Sequence, residues 1–244
     1  MDGVMTHFAS AEEAGSPQTL EQREQFEQAI AAVVAADLHP AWVHAGNSSL
    51  IDNQGLEESL SESFSWLRGL ANRVGARPMV RSGIALYGYC LPICGAVVDA
   101  GVTPNSRVSS RSRVHTDLQP VMTWKTRVIA LRNIQAGDAV GYNATFTAPR
   151  PMRLALLPIG YSDGLRRELS SSNAKPGGWV MLHGQRAAII GRVSMNLTVV
   201  DVSQISGVAV GDEVVVLGDG VTADDHARLA GTISYEILCG VRAS

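Results

Sequence analysis

The chain has 244 residues, 45% of them apolar, with a formal net charge of -3 and a mean hydropathy of +0.07. That is enough for one large domain or two modest ones around a proper core, and it excludes a disordered chain. Slight acidity without a basic tract excludes an electrostatic footprint for nucleic acid or an anionic membrane, which leaves small molecules as the expected partners.

The opening "MDGVMTHFASAEEAGSPQTL" has neither a cationic nor an apolar leader region, and no run of eighteen apolar residues follows. No membrane span and a cytoplasmic location are therefore expected. Short apolar runs then alternate with helical patterns. "GVMTHFA" reads as a strand, Leu20 to Asp37 as a helix, "AWVHAG" as a strand, "LSESFSWLRGLANRV" as a helix and "MVRSGIALYG" as a third strand. In the first helix Thr19 and Gln22 form a capping-box pattern, and Phe26, Ile30, Val33 and Val34 fall on one stripe facing a sheet. Strand-helix alternation predicts parallel strands with right-handed crossovers, as in part of an α/β barrel or a doubly wound sheet. Three strands cannot close a barrel.

After the Ser/Arg-rich linker "NSRVSSRSRVHTD" the pattern changes to short strands: "VMTWKTRVIAL", "MRLALLPIGY", "GWVMLHG", "AAIIG", "LTVVDV" and "DEVVVLG". The segments "IQAGDAVGY" and "VAVGDEVVV" repeat one another loosely, each with a Gly-Asp corner. Two domains follow, residues 1–118 and an antiparallel β domain at 119–244. Cys90, Cys94 and Cys239 are odd in number, and Cys-x-x-x-Cys lacks a second pair. Buried free thiols are expected rather than a metal site or a disulfide. Among the basic residues, eighteen are arginine and only Lys125 and Lys175 are lysine, so lysine chemistry has two candidates.

Polar residues at strand ends are where α/β folds hold ligands. "MTHFAS" offers His7, "VHAGNSS" offers His44, Asn47 and Ser48, and "VRSGIALYG" offers Arg81 and Gly83. Glycine beside small hydroxyl residues leaves N–H and O–H donors for a phosphate. Singly, each reads better as an ordinary loop or an interior histidine.

Together, "GVMTHFASAEE", "HAGNSS", "MVRSGIALYG", "LPIGYSDG", "GRVSMN" and "ISYEILC", in this order and with an all-β second half, resemble the alanine racemase family from about residue 2 to residue 242. The resemblance implies α/β plus all-β architecture: the C-terminal part of a (β/α)8 barrel, about three strands, followed by an antiparallel β domain. It implies an isomerase that interconverts L- and D-alanine on pyridoxal 5'-phosphate, supplying D-alanine for peptidoglycan, and a homodimer. Tyr161 resembles the catalytic tyrosine, which moves the α-proton on the L-alanine face and reaches the site from the neighbouring subunit. His7 resembles the histidine that contacts it. Arg81 resembles the arginine on the pyridine nitrogen; a guanidinium does not readily give up a proton, so that nitrogen would stay unprotonated. Ser48, the N–H groups of Gly83 and Ile84, and the Tyr235 hydroxyl match the phosphate-binding set. Asn47 neighbours that set, and Met195 matches the residue whose N–H receives the substrate carboxylate.

The departures matter as well. Asn196 stands where the family usually has aspartate, Gly46 where alanine is more usual, and a long helical insertion separates "NSS" from "RSG". These leave a broad-specificity amino-acid racemase open beside strict alanine specificity. The family's Schiff-base lysine, in a motif resembling Val-Lys-Ala-Asn-Ala-Tyr-Gly, has no match, and "MDGVMTHFAS" aligns midway around the barrel. The expectation is a fragment, a mis-called start or half of a split enzyme with an N-terminal half-barrel partner, inactive alone. A non-catalytic phosphate- or cofactor-binding interaction module is the alternative from another class.

Overall fold

The computed structural model describes residues 1–13, 16–49, 57–89 and 118–242, with 57–63 by backbone alone. It separates into two compact units, Met1–Gln119 and Pro120–Ser244.

In the first unit, β1 (Gly3–Met5), β2 (Trp42–His44) and β3 (Arg77–Met79) form a parallel sheet in the order β1-β2-β3. Val4 sits opposite Val43, and Val43 opposite Pro78. Between the strands run α1 (Pro17–Ala35) and α2 (Glu57–Arg73). The stripe of α1 buries Phe26 and Ile30 against Val43, Leu67 and Leu70, and Val33 packs at its margin. Val34 is 49% exposed and does not belong to it. Thr19 and Gln22 are not a cap either. The helix starts at Pro17, whose fixed φ suits a first turn. Gln22 instead reaches back to the β1–α1 loop, accepting from Ala9 N–H at 2.9 Å and donating to His7 O at 2.8 Å. The third strand is shorter than the apolar run suggests. It ends at Met79, and Ile84–Tyr87 closes into a 3-10 turn, because the intervening "RSG" spends its polar groups on neighbouring loops rather than on a ladder.

The second unit is antiparallel throughout. A four-stranded sheet has the order β10-β9-β12-β4 and a three-stranded sheet the order β11-β8-β5, beside a β6-β7 pair. The strands are β4 (Trp124–Arg127), β5 (Ala130–Ile134), β6 (Ala139–Val140), β7 (Phe146–Thr147), β8 (Met152–Leu157), β9 (Trp179–Leu182), β10 (Gln185–Ala188), β11 (Thr198–Asp201) and β12 (Glu213–Leu217). The run "VMTWKTRVIAL" is two strands, since Val128 and Ile129 carry the chain from one sheet to the other. Alternating burial in β9, β11 and β12 turns Val180, Leu182, Val200, Val214 and Val216 into one core shared by both sheets. The repeated Gly-Asp corners are built alike: Asp138 Oδ2 accepts from Gln135 N–H and Asp212 Oδ2 from Ala209 N–H, each at 2.8 Å. Two short helices, α3 (Ala223–Ala230) and α4 (Ser234–Gly240), end the unit. Among the described residues, no helix is long and apolar enough to cross a membrane. Residues 105–117, Cys90 and Cys94 lie outside the described residues. Cys239 is a free thiol but exposed, not buried, because it falls on the outer side of α4 from Ile237 and Leu238.

Candidate functional site

Each parallel strand of the first unit hands its chain to a loop at the same, C-terminal edge, and the ladder continues a step into those loops. Thr6 N–H donates to His44 O, Ala45 N–H to Met79 O and Arg81 N–H to Gly46 O. His7, His44 and Arg81 are brought together there. Arg81 Nη1 donates to His44 Nδ1 at 2.9 Å, and Nη2 donates to Thr6 O at 2.8 Å and His7 Nδ1 at 2.9 Å. A guanidinium has no acceptor, so both Nδ1 atoms must offer lone pairs, which places the imidazole protons on Nε2. Burial and then the Arg81 charge pull the His44 pKa below its ordinary 6.5, consistent with a neutral ring. Burial also lowers Arg81. Its Nε–H has no acceptor among the described residues.

Beside this fork lies a cluster of donors. Ser48 Oγ accepts from Gly83 N–H at 2.8 Å and Ala85 N–H at 3.3 Å, and the residue is 2% exposed. A hydroxyl that accepts twice keeps its own O–H to donate. The Ile84 N–H, at the open end of the 3-10 turn, has no acceptor among the described residues. The Ser48 O–H and the Ile84 N–H are thus the free donors of a small anion cradle, the chemistry a phosphate group requires, whereas the Gly83 N–H expected in that set is spent on Ser48 Oγ. Asn47 is half-buried next to it. Gly46, with φ of +87°, occupies a backbone conformation where alanine would be strained.

In the second unit, Tyr161 and Met195 meet at one lip. Tyr161 N–H donates to Ser194 O at 3.0 Å, Ser162 N–H to Met195 O at 2.8 Å, and Ser162 Oγ to the same oxygen at 2.7 Å. Such close approach of two backbones requires Gly160, where a Cβ would lie 2.3 Å from Ser194 O and 2.4 Å from Met195 O. Asp163 Oδ2 secures the turn by accepting from Gly160 N–H at 2.8 Å. Tyr161 is left 47% exposed and Met195 56% exposed over a cavity of about 670 Å³, which Tyr142, Arg166, Arg192 and Arg242 also line. Those guanidiniums suit a carboxylate, and the Met195 N–H has no acceptor among the described residues. Tyr235 is the second residue of α4, half-buried in this unit.

The site residues therefore fall into three groups, two in the first unit, His7 with Arg81 and Ser48 with Gly83 and Ile84, and one in the second, Tyr161 with Met195. His7 takes Arg81 as its partner. Two contributors were not among the expected site residues, namely the Thr6 carbonyl and Gln22, which holds the loop behind His7; His44 was visible only as a polar strand end. A backbone carbonyl carries no residue signature, and Gln22 resembled a helix cap. Among the described residues there is no group of three or more metal-ligating side chains. Lys125 is paired with Glu213 at 2.6 Å across β4 and β12, and Lys175 lies in an exposed loop.

Comparison with known proteins extends this picture. The family model described as alanine racemase, N-terminal domain, matches residues 1–91, and that of the alanine racemase C-terminal domain matches residues 121–244. An alanine racemase of Syntrophobacter fumaroxidans is 36% identical over 245 residues, covering 99% of this chain and 54% of the relative. Among solved structures, alanine racemase from Clostridium difficile 630 in complex with cycloserine matches with a TM-score of 0.71 and 26% identity, over 99% of this chain and 54% of its own. That from Bartonella henselae, with covalently bound pyridoxal phosphate, matches with a TM-score of 0.66 and 26% identity, over 100% and 55%. The chain spans about half the length of the curated relatives it matches.

Proposed function

Because this chain belongs to the alanine racemase family, we propose that it carries part of a pyridoxal-phosphate-dependent racemase acting on alanine. The observation that carries the reading is the Arg81 fork, held by His7, His44 and Thr6 O at the C-terminal edge of parallel strands with an anion cradle beside it.

The cradle and the unpaired Nε–H fit the cofactor's two polar ends. Ser48 and Ile84, with Asn47 beside them, would hold the phosphate, and Arg81 would donate to the ring nitrogen. When bound, the cofactor withdraws electrons from the amino acid and makes its α-proton acidic. Arg81 is fixed as a cation by its three acceptors, so it orients the ring without protonating it. Tyr161 would move the α-proton on one face, positioned by the Ser194 and Met195 backbone. The Met195 N–H would bind the substrate carboxylate, and Asn196 next to it is neutral where the family usually has a carboxylate, which keeps a broad-specificity amino-acid racemase as the alternative. The second proton carrier and cofactor anchor is a lysine from polypeptide outside these 244 residues. In the same reading residues 1–118 are about three strands of a (β/α)8 barrel, residues 119–244 are the β domain, and the enzyme is a cytoplasmic homodimer.

The test measures pyridoxal phosphate binding by the purified chain, then α-deuterium uptake and D-alanine formation from L-alanine in heavy water after adding the N-terminal remainder of the Syntrophobacter relative. Saturable binding weakened about tenfold or more by Arg81→Ala and by Ser48→Ala, with exchange lost in Tyr161→Phe, is expected. Binding indifferent to both substitutions overturns the reading.

A further inference from the structure

A second cavity of about 350 Å³ adjoins the one beside Tyr161 and lies wholly within the second unit. The two share Arg167, Glu168 and Arg192, and the second continues to Thr145 and Lys175. Its charge is unbalanced. Arg167, Lys175 and Arg192 make no ion pair and no side-chain hydrogen bond among the described residues. The one carboxylate lining it, Glu168, pairs with Arg166 at 3.4 Å. Arg192 is also half-buried, so its charge has lost part of its screening water, while Arg167 and Lys175 are exposed.

An independent feature points to the same place. Thr145 Oγ1 is the buried side-chain oxygen without a hydrogen-bond partner among the described residues, and a buried hydroxyl left unpaired is costly. The walls around it are built in advance. Ser170 Oγ accepts from Val193 N–H at 2.9 Å and Ser171 Oγ from Gly191 N–H at 3.0 Å, stitching both sides together. The loop carrying Lys175 is closed by Ser172 Oγ, which accepts from Lys175 N–H at 3.1 Å. Asn173 anchors that loop to β7, accepting from Thr147 N–H at 2.7 Å and donating to Thr147 O at 2.8 Å. The serine oxygens are thus held by backbone N–H groups, while the three cations and Thr145 remain for a ligand.

We propose that Thr145, Arg167, Lys175 and Arg192 form an oxyanion subsite for the phosphate or carboxylate of a small molecule, separate from the cradle at Ser48. It is independent of the racemase reading, since it needs neither cofactor nor turnover. Calorimetric titration of the full chain at constant ionic strength, with inorganic phosphate in one arm and acetate in the other, tests it. Saturable binding is expected, weakened about tenfold in Lys175→Gln and in Thr145→Val and kept in Thr145→Ser and Lys125→Gln. Tighter phosphate assigns the subsite to a phosphorylated molecule and tighter acetate to a carboxylate; both support it. The proposal is overturned if neither anion saturates, or if binding survives Lys175→Gln and Thr145→Val undiminished.

Discussion

The two units hold their functional groups by different means. In the first, three short parallel strands bring loops together and side chains do the positioning: Arg81 reaches two imidazoles and a carbonyl, Ser48 collects two N–H groups, and Gln22 ties down the loop behind His7. In the second, backbone positions backbone. Tyr161 and Met195 are set by main-chain bonds across a contact that only glycine permits, above a core shared by two sheets. Loss of one side chain should therefore perturb the first site locally, whereas the lip of the second depends on how closely its chains approach.

Gly160→Ala is the strongest test of that contrast. The new Cβ would overlap Ser194 O and Met195 O, so the loops must separate. A destabilisation of about 4 kcal/mol is expected, seen as faster native-state hydrogen exchange of β8 and β11 amides with β1 to β3 unchanged. Retention of wild-type exchange would show that the lip tolerates backbone movement.

Arg81→Ala should cost about 2 kcal/mol, the range for hydrogen bonds to a charged group, and should alter the response to acid. His44 is held below its ordinary 6.5 by burial and by Arg81. The unfolded chain therefore takes up that proton first. Stability is full above 6.5, falls as pH drops through it, and levels off below the folded-state value. Removing the Arg81 charge makes this fall shallower. Urea unfolding of the first unit at several pH values, with an NMR titration of His44, checks both parts; an unchanged His44 titration would remove Arg81 as a cause.

Ser48→Ala has the smallest expected effect, about 1 kcal/mol. It leaves the N–H groups of Gly83 and Ala85 without their acceptor. Amide exchange at those two positions should quicken while Tyr161 and Met195 stay unaffected. A change spreading into the second unit would break the picture of separately built sites.

Much of this was present in the residue order. Strand-helix alternation, then short strands with Gly-Asp corners, marked the two halves, because apolar periodicity and turn chemistry are local properties. The repeated corners even share their Asp-to-backbone bond. Motif order singled out Tyr161, Arg81, Ser48 and Met195, since each occupies a recognisable short pattern. What the residue order misjudged depended on distant partners. Gln22 had the spacing of a cap but bonds to Ala9 and His7, Val34 lay on the apolar stripe yet faces outward, and Cys239 is exposed because α4 turns Ile237 and Leu238 inward. Only the tertiary structure decided that His44 and Thr6 O hold Arg81, and that Gly160 lets two chains touch. These are meetings of residues up to 75 positions apart, set by sheet order and loop path, whereas the identities able to exploit them were written in the chain.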